Sequence, residues 1–179
     1  MVSHAIESLS ACSGLVLALM AVLLLVALLA MVNLALVRRR GERLLQAEHD
    51  RLDAFFESSP TGMVVFNQNR DIVRINSAAA ALAVGDVSDV LLKPHGEALQ
   101  CQHSFENERG CGYGTQCWFC PMRKVIDSVI TDGAPVRGME MPMVLVREQG
   151  LKTVWLRIGA QPLSIGGARH VIVAVDDIT

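Results

Sequence analysis

The 179-residue chain predicts an α+β fold, a five-stranded antiparallel sheet preceded by a single membrane helix. Three observations carry this. One uninterrupted apolar run lies near the start of the chain. In the remainder, alternating apolar and polar residues mark two strand-like runs early and three at the end. Helical stretches, short ones first and then a longer one, separate these two groups. Strand runs grouped on either side of helices, with hairpin turns inside each group, give an antiparallel α+β arrangement rather than a parallel sheet wound by crossovers.

The apolar run is LVLALMAVLLLVALLAMVNLALV, residues 15–37, with Asn33 as its only polar residue. At about 1.5 Å per residue in a helix, roughly 20 apolar residues cover the hydrocarbon core of a bilayer. No Lys or Arg precedes it, whereas Arg38, Arg39, Arg40 and Arg43 follow, the reverse of a cleaved signal peptide. The run therefore reads as a retained single-pass anchor in the inner membrane. The arginines hold residues 38–179 in the cytoplasm and leave 1–14 as a short segment outside.

Residues 38–58 carry a juxtamembrane helix, with no Pro or Gly between Glu42 and Ser59. Leu45, Leu52 and Phe56 fall on one stripe, which suits either pairing with a second copy or capping of the chain's own domain. From Pro60 the pattern becomes alternation. Gly62 to Phe66 reads as a strand, Asn67 to Arg70 as a turn and Asp71 to Ile75 as a second strand. Asn76 and Ser77 supply a helix N-cap before an alanine-rich run. Gly85, Pro94 and Gly96 break the next stretch into short helical turns. Pro121 then opens a longer helix, with Met122, Val125, Ile126, Val129 and Ile130 at helical spacing before a stop at Asp132-Gly133.

Three strands close the chain. Met139, Met141, Met143 and Leu145 alternate inward in the first, where Pro142 calls for an edge position or a bulge. Val154, Leu156 and Ile158 alternate in the second, and Gly166-Gly167 turns it into the third, ARHVIVAVDDIT.

FFESSPTGMVVFNQNRDIVRINSAAAALA resembles the start of a PAS domain, in which a helix leads through a proline into a hairpin and an Asn begins the next helix. VIVAVDDIT is similar to the end of one. The resemblance covers about residues 50–179, and the domain proper is assigned to 59–179. It implies a PAS-like sheet with short helices on one face, and a sensory and dimerisation module. Such modules usually serve a histidine kinase, a cyclase or a similar signalling output. Nothing in the chain resembles a kinase nucleotide site, a phosphoacceptor helix or a cyclase, so no enzymatic activity is expected. A homodimer is expected from the same resemblance.

Within this frame, Cys101, Cys111, Cys117 and Cys120 are spaced C-x9-C-x5-C-x2-C. Four thiolates complete a tetrahedral zinc or a cubane iron-sulfur cluster. A reducing cytoplasm disfavours a disulfide framework. Cys117 and Cys120 form a chelating hook opening onto a helix, whose N-terminus favours thiolate. Gly110, Gly112 and Gly114 let the loop wrap around an ion. His103 is a spare ligand, and Trp118 and Phe119 are expected to pack the site against the sheet. The segment 101–120, CQH followed by GCGYGTQCWFCPMR, is also similar to an insertion in some bacterial PAS-containing sensors. Of the two metals, the cluster is preferred because the implied module is sensory. The alternatives are a zinc clip in a ligand-binding or dimerisation module, a metal-free thiol switch and inert buried cysteines.

Catalysis of the thioredoxin kind is disfavoured, since its Cys-x-x-Cys follows a strand in a βαβ unit. Set against what haem-binding and photoactive PAS members carry, haem is disfavoured by the lack of a His in RKVIDSVI and of Cys-x-x-Cys-His, and a photoactive flavin by the lack of its reactive-cysteine context. A small metabolite in the sheet's concavity stays open. A net charge of −2 leaves no basic footprint for nucleic acid. Cys12 stands apart at the outer edge of the apolar run.

Overall fold

A computed structural model describes the backbone of residues 2–179 and the side chains of residues 20, 23–26 and 28–179. The chain divides into two compact units, Met1–Leu52 and Asp53–Thr179.

The first unit lies within one helix, α1 (Val2–Ser58). The sequence had suggested three segments, 1–14, 15–37 and 38–58. With no proline between Val2 and Ser58, nothing ends the helix at those boundaries. The anchor expected over 15–37 falls partly on side chains outside the described residues, as does Cys12. Among the described residues no helix is long and apolar enough to cross a membrane. Those described within the run, among them Leu24, Leu28, Met31 and Leu34, are exposed.

The second unit begins before the expected boundary at 59, because the last turns of α1 are bonded into it. Arg74 Nη2 donates to Asp53 Oδ1 at 2.7 Å, and its guanidinium lies over the Phe56 ring, 4.2 Å from the centroid. Glu57 Oε2 accepts from the Ser77 N–H at 3.0 Å and from its hydroxyl at 2.8 Å. Phe56 thus leaves the expected stripe to cap its own domain, while Leu45 and Leu52 remain exposed.

The sheet comprises β1 (Gly62–Phe66), β2 (Ile72–Ile75), β3 (Val136–Arg147), β4 (Gly150–Ile165) and β5 (Ala168–Asp177), in the spatial order β2-β1-β5-β4-β3. Every neighbouring pair is antiparallel, with β1 beside the last strand. β3 is an edge, which is why Pro142 is tolerated there, and its register slips between Val136 and Met139. Between the hairpin and β3 come α2 (Ser77–Ala80), α3 (Val87–Val90), α4 (His95–Ala98) and α5 (Pro121–Asp132). The alanine-rich helix is only one turn long. α5 ends as expected, with Gly133 left-handed at φ 71° and its N–H on the Val129 carbonyl.

Asn76 fixes the junction between sheet and helices. It is wholly buried. Its Oδ1 accepts from the N–H groups of Met63 at 2.8 Å and Ala79 at 2.9 Å, while Nδ2 donates to the Phe56 and Thr61 carbonyls at 3.1 and 3.0 Å. α5 buries Met122, Val125, Ile126 and Val129 in the core, against Leu156, Ile158 and Val173 among others. Each such side chain contributes roughly 1.5–3 kcal/mol from burial. The interior left between the sheet and the helices is nearly filled. A void of about 30 Å³ remains, bordered by Val64, Phe66, Ile75 and Met122.

Candidate functional site

The four cysteines reach one place from three directions. Cys101 follows α4, pairs with Leu145 of β3 in an isolated antiparallel bridge, and donates its N–H to the Gly96 carbonyl at 2.7 Å. Cys111 is set by the left-handed glycines on either side of it, Gly110 at φ 79° and Gly112 at φ 102°. Its N–H is held by Glu97 Oε1 at 3.2 Å. Cys117 and Cys120 stand at the start and just past the end of a 3-10 turn, Cys117–Phe119, and Cys120 caps α5. All four are free thiols lining a cavity of about 300 Å³.

That turn explains one departure from expectation. A 3-10 turn has three residues per revolution, so Cys117 and Cys120 share a face while Trp118 turns out of it and Phe119 stays at the cavity's border. Trp118 and Phe119 are accordingly exposed, at 74% and 69%, rather than packed on the sheet. Arg123 and Lys124 lie over their respective rings, at 5.6 and 5.5 Å from the centroids.

Each sulfur meets backbone donors. Gly112 donates its N–H to Cys117 Sγ at 3.3 Å. Nearby backbone N–H groups, Gly96 for Cys111, His103 and Ser104 for Cys101, and Met122 and Arg123 for Cys120, act to lower the pKa of those thiols. These donors favour thiolate, yet burial outweighs them. Desolvation pushes the Cys111 thiol up to about 12 and raises Cys101 and Cys120 as well, and neighbouring sulfurs add to each shift. The start of α5 was expected to favour thiolate at Cys120, and burial prevails over it. Without a cation Cys101, Cys111 and Cys120 stay neutral thiols.

The close fit of the loop needs its glycines. A Cβ on Gly96 would lie 2.6 Å from Cys111 Sγ, and one on Gly114 would overlap the His103 carbonyl oxygen. His103 also lines the cavity, but its Nδ1 is bonded to Glu106. The other carboxylate oxygen of Glu106 takes the N–H and hydroxyl of Thr115, at 2.8 and 2.9 Å. His103 therefore clasps the loop. As the side chains stand, no group of three or more His, Cys, Asp or Glu among the described residues is placed to hold a metal ion.

Sequence reasoning missed His95. Its side chain is 5% exposed and lines the cavity, with Nε2 3.6 Å from Cys120 Sγ. Burial, with Arg123 and Arg70 nearby, lowers its pKa to about 4, so the imidazole is neutral. Its linear position, between Pro94 and Gly96, carries no spacing signal toward the cysteines.

The comparisons with known proteins bear on this domain. Residues 50–109 match a family model described as a PAS domain. A PAS domain of an HTR-like protein from Haloarcula marismortui superposes with a TM-score of 0.51 at 20% identity, covering 78% of this chain and 99% of that one. The domain has a PAS fold. Another PAS domain, from Colwellia psychrerythraea, gives a TM-score of 0.50 at 16% identity over 74% of this chain and 98% of that one. The VqmA protein of Vibrio cholerae, in a complex with ligand and DNA, gives 0.52 at 14% identity over 72% of this chain and 51% of that one. No curated protein matches the chain. The family match takes in Cys101 and ends before Cys111, Cys117 and Cys120.

Proposed function

We propose that the chain is a membrane-anchored, cytoplasmic PAS sensory module. Its input is redox state or oxygen, read through an iron-sulfur cluster or metal ion held by Cys101, Cys111, Cys117 and Cys120. The observation that carries this is the cradle: four free thiols from three segments around one cavity, with the Gly112 N–H bonded to the Cys117 sulfur. Amide hydrogen bonds to sulfur orient thiolate ligands and tune a cluster's potential. The void of about 30 Å³ beneath the helices leaves no room there for a metabolite, so the cysteine-lined cavity of about 300 Å³ is the place for the stimulus to act. Loading draws the thiols inward and displaces their protons to solvent. It tightens the loop onto α5 and β3.

The anchor rests on the apolar run over 15–37 and on the exposure of its described side chains. Dimerisation rests on exposed Leu45 and Leu52 one heptad apart on α1. The output served is a histidine kinase or comparable signalling enzyme. A second reading, structural zinc in a PAS binding module, is favoured by the exposed Trp118, which leaves that side of the loop open to solvent.

The test is anaerobic purification from detergent followed by metal analysis and a visible spectrum. Stoichiometric iron with a brown colour bleached by air is the expected result. Colourless stoichiometric zinc establishes the second reading. Absence of both metals, with the fold unchanged in Cys117→Ser and Cys120→Ser, overturns the site.

A further inference from the structure

We propose that His95 is itself a ligand of this site, binding the ion through Nε2 beside Cys120. The inference rests on the single-ion form of the four-cysteine reading, not on a cubane cluster, and changes its ligand set from sulfur alone to sulfur and imidazole.

The first argument is geometric. Zinc holds cysteine sulfur at about 2.3 Å and histidine nitrogen at about 2.0–2.1 Å, so two such ligands on one tetrahedral ion stand about 3.5 Å apart. Nε2 of His95 is 3.6 Å from Cys120 Sγ. This pair already spans one edge of a coordination tetrahedron, onto which the remaining thiols close.

The second argument concerns what holds the ring. Buried imidazoles ordinarily spend both nitrogens on hydrogen bonds, and an unpaired buried polar atom calls for an unseen water or ion. His95 Nδ1 is the buried side-chain nitrogen or oxygen without a partner among the described residues. Beyond the Cys120 contact the ring has only an edge-on approach to Phe66, with centroids 6.4 Å apart. Nε2 is therefore turned to sulfur as its polar neighbour, and the unpaired Nδ1 is left to an unseen water. His103, by contrast, is already engaged by Glu106.

Position gives the third argument. His95 and Gly96 are adjacent; Gly96 lies directly against Cys111, and its carbonyl receives the Cys101 N–H. One dipeptide thus touches three of the four cysteines. Five candidate ligands then face at most four positions on a single ion, and His95 competes with a thiolate for one of them.

The experiment uses Co2+ as the probe, added to the metal-free full chain in detergent micelles. Wild-type protein is expected to give a tetrahedral cobalt spectrum whose ligand-field bands reflect mixed sulfur and nitrogen coordination. Directly bound imidazole nitrogen should appear by pulsed electron paramagnetic resonance. His95→Phe keeps a ring against Phe66 but removes the nitrogens. It should lose that nitrogen coupling, shift the bands to longer wavelength and weaken cobalt binding about 10-fold or more. His103→Ala should leave band positions and coupling unchanged.

An all-sulfur spectrum with no nitrogen coupling in wild-type protein overturns the inference while leaving the four-cysteine site standing. Identical spectra and affinity in wild-type and His95→Phe also overturn it. Failure of wild-type protein to take up cobalt sinks the four-cysteine reading and this inference with it. The wild-type nitrogen measurement decides the matter even if the variant does not fold.

Discussion

At the scale of single residues, the largest structural weight falls on Asn76. Its side chain serves β1, α2 and the end of α1 at once. Truncation strips the bonds from two N–H groups and two carbonyls, and a methyl group replaces none of them. Asn76→Ala is expected to destabilise the domain by about 2–4 kcal/mol, measured by denaturant unfolding; a loss within 0.5 kcal/mol would show that water substitutes for the amide. At the other end of the sheet, Thr179 gives its hydroxyl and N–H to Asp177 and accepts the Trp155 N–H at 2.9 Å. The hydroxyl bond, then the N–H, holds the Asp177 carboxyl below the usual aspartate range. A carboxylate with a depressed folded pKa adds stability above its unfolded pKa and loses it as pH falls through the folded value. Thr179→Val should therefore raise the Asp177 midpoint in an NMR titration. An unmoved midpoint would assign the shift to something other than the hydroxyl.

Among the elements, the loop carrying the cysteines is locked by packing rather than by regular structure. Gly114→Ala forces a methyl into the His103 carbonyl and against Glu106, which opens the clasp to Thr115. Faster alkylation of Cys111 and Cys117 is the expected result, with the far-ultraviolet spectrum of the sheet unchanged. Alkylation rates equal to wild type would show that the clasp does not hold the loop. The sheet and α5 were legible in the sequence because they depend on short-range rules: the alternation of Met141, Met143 and Leu145, Pro at the first position of α5, Gly133 past its last. Convergence of the cysteines was legible from spacing, but the facing of Trp118 and Phe119 was not, since it turns on a 3-10 rather than an α turn. His95 was illegible for a different reason. It is brought to Cys120 by the tertiary path of α4, and a lone His in a one-turn helix has no periodicity to betray its partner.

For the molecule as a whole, the residues of α1 fall in both units. Leu45 and Leu52 are exposed along it, whereas Phe56 is spent on the PAS fold, so any pairing seam ends above that residue. Leu45→Glu combined with Leu52→Glu should convert a dimer in detergent to a monomer by light scattering, and an unchanged mass would place the dimer contact elsewhere. The cradle also has a polymer-physics consequence. Cys101 is stitched to the edge strand through Leu145, and Cys120 is fixed to α5 as its cap. On the proposed function, an ion bridging them would act as a reversible cross-link that closes the intervening chain into a ring. Closing a ring of this size removes about 3 kcal/mol of chain entropy from the unfolded chain, by analogy with a disulfide. Loss of the ion would leave the loop to its packing alone, so the stimulus would be read as a loosened staple between an edge strand and a helix.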